Sequence, residues 1–260
     1  MDESATLSLL GIIGHPIAGN PTQFALEGAL RAAGLDWQCL SFDVPPEQLS
    51  AAIAGVAALG FRGVSIAPPF GCEVARLVQQ LSPTSQLTGW VDVLALNSQR
   101  QLVGYHLMAD AMIDLIGPTK LADAHVALLG NTPKLAALGK ALQSHDIGSL
   151  WFAEEADDQT EYDVVIRGLN RHSSKVGIAD QPALFSEQQI EQLATDCVVV
   201  DLAVTASTSP LLRFAANRGI KTFSSIDLFV HRASLAFSLW TGIQADQHRL
   251  REAFEEYLEI

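Results

Sequence analysis

The stretch Gly130-Asn131-Thr132-Pro133-Lys134 stands between an apolar run, Val126 to Leu129, and a helical pattern, Pro133 to Leu142. A loop in that setting presents backbone N–H groups at a helix N-terminus, where phosphates bind. Close approach of a phosphate needs glycines, and only the first is present. Pro133 lacks an N–H, and Thr132 puts a branched side chain in the way. Thr132-Pro133 is still a good N-cap and first-turn pair, so the helix is expected. After the next apolar run come Glu154 and Glu155, carboxylates that repel a phosphate but can accept from a ribose 2′-OH. Asn20-Pro21-Thr22-Gln23 reads as a helix start, with Asn20 as N-cap, Pro21 at the first helical position and Gln23 completing a capping box. Asn20 and Thr22 also offer polar groups to a ligand, and both readings stay open. His106 is a lone histidine, structural or proton-transferring. Arg232 in a pocket would hook a carboxylate or phosphate; otherwise it needs an acid such as Asp227. Cys39, Cys72 and Cys197 are far apart and form no CxxC pair, so neither a disulfide framework nor a zinc site is indicated.

These residues need a scaffold, and the apolar pattern supplies an α/β one. Strands are expected at Ser8 to Ile13, Trp37 to Val44, Gly63 to Ala67, Leu150 to Ala153, Val164 to Ile166, Val198 to Leu202 and Lys221 to Phe223, besides Val126 to Leu129. Helices are expected at Pro21 to Ala33, Glu47 to Leu59, a segment marked by Val74, Leu77, Val78 and Leu81, and Pro210 to Arg218, with two more closing the chain. Leu94 to Asn97 and Leu102 to Tyr105 read as a hairpin, with Asn97 able to cap its turn. Strand–helix alternation of this kind implies parallel sheets. The acidic connector from Glu154 to Tyr162 is too short for a crossover helix, so the second βαβ unit is expected to be trimmed.

The 260 residues suffice for one large domain or two modest ones. The net charge is −13, which gives no general drive toward nucleic acid or anionic membranes. Charged residues make up 17%, below the roughly 25% of an average soluble domain, and apolar ones 48%, which excludes a disordered chain. No apolar run has membrane-spanning length, and the opening residues lack a basic signal region. A cytoplasmic protein with free thiols is expected.

Several segments carry a resemblance to a known family. GIIGHPIAGNPTQFALEGALRAAGLDW, LGFRGVSIAPPFG, LALNSQRQLVGYHLM, SPLLRFAANRGIKT and LFVHRASLAFSLWTG resemble stretches of the shikimate dehydrogenases, across nearly the whole chain. The resemblance implies a substrate-binding domain at 1–108 completed by helices at 231–260, and a Rossmann-like NAD(P)-binding-type domain at 109–230. It implies reduction of 3-dehydroshikimate by NADPH, with a lysine and an aspartate handling the proton. Those two align with Gly71 and Met108, which can do neither. General acid–base help is worth about 10²- to 10⁴-fold in rate. By the same resemblance the substrate-binding positions are Asn20, Thr22, Ser65, Asn97 and Arg232, His106 is the substitute proton carrier, and the cofactor positions are Gly130, Asn131, Thr132 and Glu154.

The expected function is therefore a shikimate dehydrogenase-like protein that has lost the standard reaction, with no tightly bound cofactor. A small polar acid is the expected ligand, and the chain is a monomer or homodimer. Two alternatives stay open: a divergent shikimate/quinate-type oxidoreductase using NAD or NADP, and a non-catalytic scaffold.

Overall fold

A computed structural model describes residues 7–153, 161–168, 187–203 and 209–259. The chain runs β1 (Ser8–Gly14), α1 (Thr22–Ala32), β2 (Trp37–Asp43), a 3₁₀ turn (Pro46–Gln48), α2 (Leu49–Leu59), β3 (Gly63–Ile66), α3 (Gly71–Leu77), β4 (Gln80–Leu81), α4 (Pro83–Thr88), β5 (Val93–Leu96), β6 (Leu102–Tyr105) and α5 (Leu107–Ile116). It continues through α6 (Pro118–Leu121), β7 (His125–Leu129), α7 (Pro133–Leu142), β8 (Ser149–Ala153), β9 (Val164–Arg167), α8 (Glu187–Gln192), β10 (Val198–Asp201), α9 (Pro210–Asn217), β11 (Lys221–Phe223), α10 (Ser225–Thr241) and α11 (Gln247–Leu258).

Two compact units result. One holds residues 1–110 and 230–259, the other 111–229 and 260. The boundaries fall inside α5 and α10.

The first unit carries a six-stranded sheet in the order β2-β1-β3-β5-β6-β4. It is mixed rather than wholly parallel: β1 pairs in parallel with β2 and β3, while β5 runs antiparallel to β3 and β6. The antiparallel strands follow from the hairpin, whose turn is too short to reverse direction twice. One face packs Ile53 and Val56 of α2 against Ile13, Phe61 and Val64. Gly11 is what lets Phe61 and Val64 come this close; a Cβ there would stand 3.3 Å from each side chain. Helix α2 stops at Gly60, which takes the left-handed conformation (φ 71°) that glycine adopts freely.

The segment around Leu81 differs from the expected helix. Helix α3 ends at Leu77, and Leu81 lies in β4 beside β6. Helix α4 follows, started by Ser82, whose hydroxyl accepts from the Ser85 N–H at 3.2 Å, and ended by Gly89. The capping box at residue 20 does not form either. Helix α1 begins at Thr22; Asn20 Oδ1 accepts from the Thr22 N–H at 3.0 Å, and the Gln23 amide turns forward to Glu27 at 2.9 Å.

The second unit is a five-stranded parallel sheet, β11-β10-β9-β7-β8, of Rossmann-like type. Its core gathers Ala127, Val165, Val199, Leu211 and Ala215. The β8–β9 link, where a trimmed βαβ unit is expected, lies largely outside the described residues. No helix among the described residues is long and apolar enough to cross a membrane.

Candidate functional site

The closing helix fixes the site in the first unit. Trp240 of α10 lies flat on Gly63, where any Cβ would overlap its indole, and its N–H donates to the Leu94 carbonyl at 2.9 Å. About two turns earlier on the same helix, Arg232 is thereby delivered to the sheet. It is 8% exposed. Its guanidinium donates to Ser65 Oγ and to the Asp92 carbonyl, both at 2.7 Å, and its Nε stands 3.6 Å from Asp92 Oδ1.

Asp92 lies one residue before β5 and is 6% exposed. Its carboxylate also accepts from the Leu107 N–H at 3.0 Å and the Met108 N–H at 2.9 Å, the first amides of α5. A buried carboxylate so placed meets the positive end of the helix and a guanidinium together. The Arg232 charge is thus balanced within the protein by Asp92. Asp227 serves elsewhere, accepting from the Ser224 N–H and hydroxyl at the start of α10.

Gly71 opens α3, and its carbonyl accepts from the Val91 N–H at 3.0 Å. A Cβ built there would overlap the six-membered ring of Trp90. The space a side chain would take at position 71 is filled by indole. Met108 is buried in α5. His106 is fully buried; its Nδ1 is 3.1 Å from Thr88 Oγ1, and its ring lies 6.3 Å from that of Trp90.

Asn97 sits in the β5–β6 turn. Its Oδ1 accepts from the Gln99 and Gln101 N–H groups, both at 2.9 Å, and its amide donates to Gln80 Oε1 at 3.2 Å. Its side-chain oxygen is engaged by the hairpin and its amide by Gln80 of β4. Ser65 and Arg232 therefore come together, with Asp92 as their third member, whereas Asn97 holds a turn and Asn20 a helix entry. Position 67 is Ala67, packed against Gly14.

In the second unit, Thr132 Oγ1 accepts from the Leu135 N–H at 3.3 Å, with Pro133 at the first helical position. A first-turn amide that a phosphate would use is already met by a side chain, and Pro133 has none to give. Lys134 Nζ lies 5.9 Å from the Phe229 ring. These donors do not fit a dinucleotide pyrophosphate. Gly130 and Asn131 precede them at the end of β7, and Glu154 lies outside the described residues. At the carboxyl ends of β9 and β10, Arg167 Nε donates to the buried Asp201 at 2.9 Å, closing off that charge as well.

Asp92, Trp90 and Thr88 were not singled out by sequence. Asp92 had a signal: a single carboxylate in the apolar run from Val91 to Leu96 must find a cation or a helix start. Trp90 had none, because packing against a glycine leaves no local pattern.

A mixed first sheet completed by C-terminal helices, followed by an all-parallel Rossmann-like sheet, defines a two-unit α/β fold. The model of the shikimate dehydrogenase substrate binding domain matches residues 12–94. The chain is 25% identical to a shikimate dehydrogenase (NADP(+)) of Methanopyrus kandleri, over 98% of this chain and 97% of that one. It is 26% identical to one from Archaeoglobus fulgidus, over 94% and 96%. Its fold is similar to that of Thermus thermophilus shikimate 5-dehydrogenase solved with NADP(H) and shikimate, at a TM-score of 0.78 and 21% identity, over 96% of this chain and all of that one. Residues 12–94 thus match the shikimate dehydrogenase substrate-binding domain, and the chain is similar to shikimate dehydrogenases over nearly its whole length.

Proposed function

We propose that this chain has kept the shikimate dehydrogenase scaffold and lost NADP-dependent reduction of 3-dehydroshikimate, and that it serves in the cytoplasm as a binding or regulatory protein for a small polar acid. The observation that carries the reading is the indole of Trp90 over Gly71. The position that the family resemblance gives to the proton-handling lysine has neither a side chain nor room for one. Met108, at the aspartate position, is equally inert, so the proton transfer worth about 10²- to 10⁴-fold has no carrier at either place. The cofactor side agrees, since Thr132 and Pro133 withhold first-turn donors from a phosphate. Thr22 is the resemblance-derived polar side chain left to meet a ligand, since Ser65 Oγ already accepts from Arg232.

The competing reading is a divergent shikimate/quinate-type oxidoreductase using NAD or NADP. It is favoured by near-complete coverage of relatives named as NADP(+) enzymes. It needs His106 as proton carrier, and that ring is buried against Thr88.

One pair of measurements separates them. Calorimetry with shikimate, quinate, NAD and NADP is expected to show the acid binding alone. A coupled assay is expected to show no shikimate-dependent NADPH formation. Turnover within about tenfold of a shikimate dehydrogenase run alongside would overturn the proposal, since loss of acid–base catalysis exceeds that margin. Activity abolished by H106A would then establish the competing reading, and binding of neither ligand class would leave a scaffold.

A further inference from the structure

Helix α2, Leu49-Ser50-Ala51-Ala52-Ile53-Ala54-Gly55-Val56-Ala57-Ala58-Leu59, carries no charged residue. Its flank toward the β5–β6 hairpin borders an open hollow of about 350 Å³, walled by Ile53, Ala57, Leu77, Val78 and Leu102. That volume falls in the range of small-molecule pockets, roughly 300–1,000 Å³. Arg100 is the one charged residue among the described residues that line it.

The turn sets the guanidinium there. The Arg100 N–H closes the β5–β6 turn on the Asn97 carbonyl at 2.9 Å, and Arg100 itself takes a left-handed backbone, φ 61°. Hairpin turns of this kind ordinarily put glycine at that position, because a side chain is disfavoured at positive φ. The arginine lays its guanidinium against Gly60 at the end of α2, where a Cβ would stand 3.1 Å from Nη2. Its side chain makes no hydrogen bond or ion pair among the described residues. A guanidinium with its donors unused beside an apolar wall is suited to grip a carboxylate.

We infer that this hollow is a second ligand site, which takes a monocarboxylic acid with an aromatic or branched apolar body. The body lies against Ile53, Ala57 and Leu102, and the carboxylate meets Arg100. Charge decides between ligand classes: among the lining residues an anion finds a cation, whereas an amine finds no acid. The site is separate from Arg232, whose charge Asp92 already balances. The two places share one hairpin, since β6 runs from Leu102 at the hollow to Tyr105, whose carbonyl accepts from the Asp92 N–H at 2.9 Å.

The experiment is titration calorimetry of the full chain with 3-phenylpropanoate, and with 3-phenylpropylamine as a cation of similar shape. The parent is expected to bind the acid with a submillimolar dissociation constant and not the amine. R100N is expected to weaken binding at least tenfold, the worth of a charged hydrogen bond; asparagine tolerates positive φ, so the turn is kept. A54W, which puts an indole into the hollow from an exposed position, is expected to abolish binding. Should A54W melt well below the parent, R100N alone decides. No binding of the acid at millimolar concentration, equal binding of the amine, or undiminished affinity in R100N or in a folded A54W overturns the inference.

Discussion

Replacing Asp92 by asparagine removes one oxygen and a charge from a site where both are used. The carboxylate holds the Leu107 and Met108 amides at 3.0 and 2.9 Å and stands 3.6 Å from Arg232 Nε. Asparagine keeps one acceptor and turns an NH₂ toward the other amide or toward the guanidinium. Arg232, at 8% exposure, is left as a buried cation with only Ser65 Oγ and a carbonyl for company. Breaking a buried pair from one side costs about 3–5 kcal/mol. The 3.6 Å separation and the bonds Arg232 retains put the value near the lower end, about 3 kcal/mol. For a chain of this size each kcal/mol moves the melting temperature by about 2–4 °C, so D92N is expected to melt about 6–12 °C lower. Scanning calorimetry reads this directly. R232M is expected to lose less, because Asp92 keeps both amides and the helix dipole. The double variant D92N/R232Q should recover part of the loss through a neutral hydrogen-bonded pair, a coupling of about 0.5–3 kcal/mol. A D92N chain melting within about 2 °C of the parent, less than 1 kcal/mol, would refute the view that this pair holds the site together.

G71A is expected to destabilise by about 1–3 kcal/mol through forced movement of Trp90, read as a lower urea midpoint, and G71K is expected to gain no dehydrogenase activity. NADP is expected not to bind tightly, because Thr132 already caps α7; a micromolar dissociation constant by calorimetry would contradict this. Burial pushes the thiols of Cys39 and Cys197 up to about 12, so Cys72 should react first with a thiol reagent at mildly alkaline pH. Both raised thiols keep their protons when folded and lose them when unfolded above the ordinary thiol range. Stability should therefore be intact at neutral pH and decline between about pH 9 and 12, by about 1.4 kcal/mol per unit per thiol; a flat alkaline stability profile in C39S/C197S would confirm the source.

Strands with uninterrupted apolar runs were legible at once: Ser8–Gly14 and His125–Leu129 declare themselves by composition. Short elements were not. Leu81 continues a helical spacing from Val74, yet it belongs to a two-residue strand whose only reason is its neighbour β6. Helix α4, with its Ser82-Pro83 start and Gly89 stop, was missed. At residue 20 the chain had two ways to satisfy an amide, and the Asx turn prevailed over the capping box because Gln23 found Glu27 one turn on. The partner of Arg232 was sought nearby at Asp227. Its true partner lies 140 residues away in sequence, a separation no local pattern reports.

The contact between Gly71 and Trp90 bears on how such a chain changes over time. On the proposed reading, regaining a lysine at 71 requires the indole to leave first. A small residue at 90 opposite glycine opens a void, and truncating the half-buried Trp90 costs part of the about 3–5 kcal/mol that a fully buried tryptophan is worth. Lysine at 71 opposite tryptophan overfills the same volume. Both single steps are worse than either end point, so the loss sustains itself once the pair is in place. A screen for restored activity on this scaffold should randomise positions 71 and 90 together, because neither alone leads back.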